Sequence, residues 1–357
     1  MWWLGPKTWF NLPSMTEALT VGQMGELDLL QRLFRYCSID LVGDDAAVMA
    51  LPPGHQLVVT TDMLVDGVHF SDQTTTPEDV GWRAMAANLS DLAAMGADPQ
   101  GITVALSLPS QTPVAWVERV YRGMADCLDT WGGQLIGGDL CRSDTISIAI
   151  TALGSVEVGK AFYRHTAQPG QALLATGYHG LSRAGLELLL SPEQGARLSQ
   201  PVRQRWIQAH QRPNPRLDVV AHLRNLLRAF AQPITIAAMD SSDGLANAVL
   251  HLCQASGVGV VLDGHQLPMD PALVAWVGLE KARDWCLYGG EDFELVLCLP
   301  ESMAQVLQGH LGPEGKLLGY LTADPAVKLQ LPALGRTTQA ENITTLDLSF
   351  HRGFQHF

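Results

Sequence analysis

The sequence predicts a two-domain protein of mixed α/β class, in which each domain is a mixed sheet packed with helices. The chain has 357 residues, which is more than a single hydrophobic core usually serves. Helix-like and strand-like patterns occur together in both halves, and around residues 156–170 they give way to glycine, proline and polar residues. We therefore expect an N-terminal extension over 1–20, an N-terminal domain over 21–158 and a C-terminal domain over 159–357.

In the N-terminal half, the spacing of apolar residues separates helices from strands. The clearest helix begins at Thr76, a hydroxyl N-cap that is followed by Pro77 and by the acidic Glu78 and Asp79, and it ends at Gly96. The predicted helices of this half are 26–37, 76–96 and 113–131, and the predicted strands are 56–70, 102–108, 134–136 and 145–153.

The C-terminal half contains the same mixture of patterns, without low-complexity segments or a short-period repeat. An apolar run over 234–239 predicts a strand that leads through Asp240 into a helix beginning at Asp243. The predicted helices are 183–190, 216–230 and 243–255, and the predicted strands are 173–176, 234–239, 258–262, 293–299 and 317–321.

The charge balance restricts the possible partners. Lys and Arg number 23 and Asp and Glu number 36, so the formal net charge is −13. A nucleic acid or an anionic membrane would require clustered basic residues, so neither is expected as a partner. A phosphorylated small molecule is compatible with this charge only if divalent cations neutralise its phosphates.

Cysteine spacing and the absence of apolar segments favour a cytoplasmic protein. The six cysteines are scattered without a Cys-x-x-Cys pair, which suits reduced thiols better than disulfides or a zinc site. The first ten residues are aromatic but contain no long apolar core, so we expect no signal peptide. No run of 18 uncharged apolar residues follows, so no membrane span is expected.

Aspartates next to glycine or a hydroxyl residue recur at predicted strand ends, whereas the usual phosphate-binding loops are missing. Neither Gly-x-x-x-x-Gly-Lys-Ser/Thr nor Gly-x-Gly-x-x-Gly after a strand occurs. The stretches with these aspartates are Gly43-Asp44-Asp45, Thr60-Thr61-Asp62, Gly137-Gly138-Asp139, Asp240-Ser241-Ser242-Asp243 and Gly289-Gly290-Glu291-Asp292, together with Asp91 on a predicted helix.

Each of these aspartates alone is more simply explained as a turn former or a helix cap. Asp243 in particular suits the first turn of a helix, where the dipole favours an acid. As a set, however, the aspartates offer the hard oxygen ligands that Mg²⁺ prefers, with water and substrate phosphate completing its coordination. The interpretation is that the acids bind the metals and the metals bind the phosphates.

Three other residues have both a structural and a functional interpretation. His69 is a histidine at a predicted strand end, and Arg164 is either a surface arginine or a phosphate contact. Tyr121 shares a predicted helix face with Val117 and Met124, so core packing competes with nucleotide stacking.

Taken together, the motifs resemble those of thiamine-monophosphate kinase. Besides the aspartate stretches, they include Asp66-Gly67-Val68-His69-Phe70, Asn88-Leu89-Ser90-Asp91-Leu92-Ala93-Ala94-Met95-Gly96-Ala97 and Glu291-Asp292-Phe293-Glu294. They follow that family's order from about Gly25 to Phe357. The resemblance implies the two-domain fold of aminoimidazole ribonucleotide synthetase, a homodimer formed through the N-terminal domain, and ATP-dependent phosphorylation of thiamine monophosphate with several Mg²⁺ ions by direct in-line transfer.

The resemblance also implies roles for individual residues. The implied magnesium ligands are Asp45, Thr60, Thr61, Asp62, Asp91, Asp139, Asp240 and Asp243, of which Asp62, Asp91, Asp139 and Asp240 are the implied catalytic residues. The implied nucleotide contacts are Tyr121, Gly138, Asp139, Arg164 and Ser242, and the implied contacts to thiamine monophosphate are His69, Glu291 and Phe354. Leu140-Cys141 replaces the hydroxyl residues common after Gly-Gly-Asp, and Thr60 replaces a common serine.

Two other functions remain open from the sequence. One is a ligase or synthetase of the same superfamily that uses ATP to activate a different small molecule. The other is a catalytically silent nucleotide-binding homologue, although such a protein would be expected to have lost one or more of the scattered aspartates.

Overall fold

The computed structural model describes residues 19–229, 234–331, 344–348 and 350, which form two sheets with helices packed on them. The strands are β1 (His55–Val65), β2 (Asp98–Leu108), β3 (Leu135–Arg142), β4 (Ser147–Glu157), β5 (Ala172–Ala175), β6 (Ala237–Asp240), β7 (Gly259–Asp263), β8 (Leu295–Leu299), β9 (Lys316–Thr322), β10 (Val327–Leu331) and β11 (Thr344–Asp347). The helices are α1 (Val21–Met24), α2 (Glu26–Leu33), α3 (Pro77–Ala94), α4 (Val114–Trp131), α5 (Leu181–Leu190), α6 (Gln200–Gln211), α7 (Leu217–Ala229), α8 (Leu245–Ser256), α9 (Pro271–Val277), α10 (Leu279–Tyr288) and α11 (Glu301–Leu311).

The N-terminal sheet has the strand order β1-β4-β2-β3; α3 packs on one of its faces, and α4 packs against α3. β1 and β2 pair with β4 in antiparallel fashion, whereas β2 and β3 are parallel. The two helices approach each other at backbone distance, because a Cβ atom on Gly81 would lie 1.9 Å from the Val120 carbonyl oxygen. On the opposite face of β1, Leu57, Val59 and Met63 are exposed.

The C-terminal sheet has the order β11-β10-β7-β9-β5-β8-β6. β7 and β10 are parallel, and the other neighbouring pairs are antiparallel. Its central strands β5 and β8 are buried along their whole length, as expected for strands that are covered on both faces. The sheet is therefore mixed, like the N-terminal one, and the predicted fold class is confirmed.

Helix α3 connects the two sheets physically. It is buried around most of its circumference, because β1, β4 and α4 lie on one side while β6, α6 and α7 lie on the other. Trp82 Nε1 donates to the Pro213 carbonyl at 2.9 Å, and Ser90 Oγ donates to Asp240 Oδ2 at 3.0 Å. Side chains of α3 thus face the C-terminal domain directly.

Most predicted elements are present, and the corrections have local causes. The strand predicted over 56–70 ends at Val65, since Gly67 adopts a φ of 79° and a turn follows. The helix predicted from Asp243 begins at Leu245, because Gly244 has a φ of 100° and acts as its N-cap. Helices α6, α9, α10 and α11 were not predicted. α6 is mostly polar, and apolar periodicity alone does not reveal such a helix.

No helix among the described residues is both long enough and apolar enough to cross a membrane.

Candidate active site

A cleft of about 290 Å³ opens where the two domains meet. The N-terminal domain contributes β1, the turn after it and α3 to its wall, and the C-terminal domain contributes the segments around Ser242 and Glu291. Its charged and titratable lining residues are Asp62, His69, Arg83, Asp91, Asp243 and Glu291.

Hydroxyl groups hold the carboxylates at the base of this cleft. Thr60 Oγ1 on β1 donates to Asp91 Oδ2 on α3 at 2.5 Å. Asp240, the last residue of β6, is 2% exposed and accepts from Ser90 Oγ at 3.0 Å and from Ser242 Oγ at 3.2 Å. Carboxylates of the two domains therefore meet because α3 packs against the end of β6.

This arrangement disfavours the ionised form of each acid. Burial, followed by repulsion from Asp91 and Asp243, raises the pKa of Asp62 to about 6. Burial and then repulsion from Asp91 raise the pKa of Asp240 to about 7. The pKa of Asp91 is also raised by burial, although the Thr60 hydrogen bond and the Arg164 charge oppose that rise. A bound cation would relieve this excess of negative charge.

The acidic and hydroxyl side chains of the cleft suit a Mg²⁺ ion that takes only some of its ligands from the protein. The described side chains do not form a complete, preformed set of metal ligands. In the described part of the chain, no three acidic, histidine or cysteine side chains are already arranged around one point. Mg²⁺ commonly uses only one or two protein carboxylates and takes its other ligands from water and phosphate. Asp62, Asp91 and Asp240 match that requirement, because they are close together and their pKa values are raised. Hydroxyl groups also donate hydrogen bonds to Asp91 and Asp240.

On the opposite side of the cleft, a strained turn presents Glu291. Gly290, Glu291 and Phe293 have φ values of 68°, 59° and 53°, a conformation that is uncommon for residues other than glycine. The turn is stabilised by the Glu291 N–H, which donates to the Ser242 carbonyl at 2.6 Å. Strained backbone of this kind tends to occur at functional sites.

The three acids of this turn have different partners. Glu291 forms an ion pair with Arg83 of α3. The Asp292 carboxylate accepts from two backbone N–H groups at the start of α5, at 2.7 and 2.9 Å. Glu294 pairs with Arg216 at 2.6 Å. The second and third acids thus stabilise the C-terminal domain, while Glu291 faces the cleft.

Comparison with known proteins identifies the family. Residues 43–156 match the model of the AIR synthase related protein, N-terminal domain, and residues 168–332 match the corresponding C-terminal domain. The chain is 47% identical over 342 residues to thiamine-monophosphate kinase of Synechococcus elongatus, covering 95% of this chain and 98% of that protein. The chain belongs to the thiamine-monophosphate kinase family.

Solved structures of the thiamine-monophosphate kinase family agree with this assignment. The enzyme of Stenotrophomonas maltophilia K279a is 33% identical with a TM-score of 0.73, covering 84% of this chain and 95% of that one. A structure described as AaThiL complexed with AMPPCP and TMP is 30% identical with a TM-score of 0.66, covering 88% of this chain and 96% of that one. The family resemblance inferred from the motifs is confirmed.

The fold brings together several residues to which the thiamine-monophosphate kinase motifs assign a role. Around or beneath the cleft lie Thr60, Asp62, His69, Asp91, Asp240, Ser242, Asp243 and Glu291. His69 Nδ1 accepts from the Val65 N–H at 3.1 Å, which fixes the ring at the end of β1. Arg164 is exposed, and its charge acts on Asp91.

Other residues implied by the family lie elsewhere. Thr61 alternates with Asp62 along β1 and donates to the Ile150 carbonyl at 2.8 Å. Gly138 and Asp139 are exposed on the edge strand β3, and Asp45 is exposed in a loop. Neither Asp45 nor Asp139 is among the described residues that line the cleft. Their metal and nucleotide roles stay predictions.

The two aromatic residues with implied ligand contacts, Tyr121 and Phe354, are not among the described residues that line the cleft. Tyr121 is 5% exposed within the core and packs near Tyr36, with ring centroids 6.0 Å apart. Burial raises the pKa of its phenol. The described position is thus the core packing that the sequence left open, and nucleotide contact stays a prediction. Phe354 lies outside the described residues.

Sequence reasoning missed Arg83 and His210, which are 2% exposed and contact each other across the domain junction. A weak signal existed for Arg83, since it is a charged residue within the otherwise uncharged run Gly81–Ser90 of a helix. A charged residue is almost never fully buried unless it is paired. Its partners come from distant parts of the chain, so the sequence could not identify them.

Proposed function

We propose that this chain transfers the terminal phosphoryl group of ATP to thiamine monophosphate, giving ADP and thiamine diphosphate. The supporting observation is the carboxylate cluster of Asp62, Asp91 and Asp240 at the domain junction, with Glu291 opposite it. The 47% identical relative is named thiamine-monophosphate kinase, and a related structure is described as a complex with AMPPCP and TMP.

The proposed magnesium ligands in the cleft are Thr60, Asp62, Asp91, Asp240 and Asp243, and the family resemblance adds Asp45, Thr61 and Asp139. Bound Mg²⁺ would supply charge neutralisation for the triphosphate and for the transferring phosphoryl group. By the same resemblance, Tyr121, Gly138, Asp139, Arg164 and Ser242 contact the nucleotide, and His69, Glu291 and Phe354 contact thiamine monophosphate.

Transfer is direct and in line. A phosphate oxygen of thiamine monophosphate forms a bond to the γ-phosphorus of ATP while the bond from that phosphorus to the β–γ bridging oxygen breaks, and ADP leaves. The acceptor oxygen is already anionic, so the reaction requires no strong base from the protein. The protein's contribution is therefore to position both substrates and to exclude water from the cleft.

The family resemblance also supports a cytoplasmic homodimer formed through the N-terminal domain. The exposed side chains of Leu57, Val59 and Met63 on the outer face of β1 are compatible with burial against a second copy. Light scattering of the purified chain at several concentrations tests the dimer, and a mass of one chain at micromolar concentration would contradict it.

The decisive experiment follows both products. The purified chain is incubated with ATP, Mg²⁺ and thiamine monophosphate, and ADP and thiamine diphosphate are separated by chromatography. We expect equal amounts of the two products and none without the acceptor. ATP turnover with another small molecule, but not with thiamine monophosphate, would favour a superfamily ligase. Nucleotide binding without any turnover would favour a silent homologue.

A further inference from the structure

Arg83 is a buried arginine in the wall of the cleft. It lies on α3, is 2% exposed, and sits in a helix whose other buried residues are mostly apolar or small. Removing a guanidinium group from water is costly unless charged and polar partners replace the lost hydration. A leucine or methionine at this position would pack without that cost. The reason for an arginine must therefore lie in the contacts that Arg83 makes.

Both partners of Arg83 belong to the C-terminal domain. Nη1 donates to the backbone carbonyl of His210 and lies 3.4 Å from Nδ1 of the same residue. Nη2 makes a close ion pair with Glu291 Oε1, although this contact lacks hydrogen-bond geometry. The His210 carbonyl thus holds one nitrogen of the guanidinium group, while the other nitrogen is paired with the first oxygen of Glu291.

His210 does not replace Arg83 as the cation. Its ring is buried and shares a hydrogen bond with Ser182 Oγ at 3.1 Å. Burial, followed by the Arg83 charge, lowers the pKa of His210 to about 3, so the ring is neutral at pH 7. His69 adds a further favourable charge interaction with Glu291 from across the cleft. The positive charge nearest to the Glu291 carboxylate is therefore that of Arg83.

Within the parts of the chain that the structure describes, the second oxygen of Glu291 accepts no hydrogen bond and is available to a ligand. Oε2 lies 3.9 Å from His210 Nδ1, too far for a hydrogen bond, and 35% of the side chain is exposed. Burial is the largest single influence and would raise the pKa of Glu291, but the opposing contributions of Arg83, His210 and His69 together lower it. At neutral pH the cleft thus presents one ionised oxygen on a backbone held at a φ of 59°.

We propose that Arg83 is a positioning residue, which orients Glu291 across the domain junction so that its free oxygen accepts a hydrogen bond from the amino group of thiamine monophosphate. The proposal rests on the proposed kinase activity. Because Arg83 belongs to one domain and Glu291 to the other, the geometry of this contact also depends on how the two domains pack.

The test compares Arg83→Met with a matched control, Arg224→Met. Arg224 also joins the two domains, since it bonds to both oxygens of Asp98 at 2.6 Å and to the Gly96 carbonyl at 2.8 Å, but it does not touch Glu291. We expect Arg83→Met to raise the KM for thiamine monophosphate by about 10- to 100-fold while the KM for ATP stays within about twofold. Arg224→Met should leave both values near wild type.

A double-mutant cycle separates positioning from general support of the fold. If Arg83 acts through Glu291, then adding Arg83→Met to Glu291→Gln should change the KM for thiamine monophosphate by less than about twofold. Arg83→Lys retains the charge but not the planar fork, so it should restore part of the affinity. It also serves as the test variant if the methionine variant fails to fold.

Three results would overturn the proposal. One is an equal rise in both KM values in Arg83→Met, or in Arg83→Lys if only that variant folds. Another is a multiplicative effect of Arg83→Met and Glu291→Gln. The third is an Arg224→Met variant that behaves like Arg83→Met. If the wild type turns over ATP without using thiamine monophosphate, the proposed function fails first, and this assignment of the acceptor fails with it.

Discussion

Replacing Asp240 by asparagine separates a catalytic role of this carboxylate from a structural one. The substitution keeps the size of the side chain and one acceptor oxygen, but it removes the negative charge. Ser90 Oγ and Ser242 Oγ donate to the two carboxylate oxygens at 3.0 and 3.2 Å. A serine hydroxyl can rotate and accept from the new amide group, so we expect both hydrogen bonds to be retained.

The effect on stability can be worked out from the pKa of Asp240. In the metal-free protein this pKa is raised from 3.8 to about 7. The folded state therefore favours the protonated acid, so its contribution to stability is complete below about pH 4 and is lost as the pH rises through 7. That loss is at most about 4 kcal/mol, at roughly 1.36 kcal/mol per pH unit. Asparagine cannot ionise, so the metal-free variant should melt at or above the wild-type temperature at about pH 8.

The effect on turnover should be in the opposite direction. Asparagine lacks the charge that draws Mg²⁺ out of water, and stabilisation of the transferring phosphoryl group is lost with it. We expect kcat to fall by roughly 10²- to 10⁴-fold, comparable with or somewhat more than the loss of one preorganised electrostatic contact.

Melting temperature and kcat should be measured on the same preparation, with and without Mg²⁺. The expected result is a folded protein of unchanged or raised metal-free stability and very low turnover. Near-normal turnover would remove Asp240 from the metal site. A metal-free melting temperature well below wild type, with kcat preserved at low temperature, would show that Asp240 supports the turn instead.

Three other predictions follow from the same site. First, activity should be lost in excess EDTA and return with Mg²⁺, because like-charged carboxylates repel a triphosphate; undiminished ATP binding in EDTA would contradict this. Second, ATP labelled at the γ-phosphate should leave no label on the denatured protein, and a phosphoprotein formed on the catalytic timescale would exclude direct transfer. Third, Phe354→Ala should raise the KM for thiamine monophosphate more than the KM for ATP; equal effects would indicate a general role in folding.

Much of the fold could be predicted because its signals are local. The N-cap hydroxyl of Thr76 and the following Pro77 specify the start of α3 through backbone groups within one turn. Apolar runs gave β2 and β8 at about their observed positions. The predicted end of β1 was wrong because Gly67 adopts a positive φ and begins a turn. α6 was missed because it is mostly polar and its apolar residues do not form a clear periodic pattern.

The chemistry of the site could also be predicted in part. The sequence alone showed that acids recur next to hydroxyl or glycine residues and that the chain has a net charge of −13. The predicted position at strand ends is right for Asp240, which ends β6, but wrong for Asp62 and Asp139, which lie within β1 and β3. Because α3 carries Asp91 and β6 ends at Asp240, their meeting depends on how the two domains pack. The family motifs supplied the set of residues but not the distances between them.

Only the tertiary structure decided which residues share the cleft and which charges compensate each other. Arg83 and Glu291 are 208 positions apart, and their ion pair exists because α3 is packed between the two sheets. Likewise, the pKa values of Asp62 and Asp240 are raised by burial and by neighbouring carboxylates, not by adjacent sequence. Burial and long-range charge depend on the position of every element, and a local sequence pattern does not contain that information.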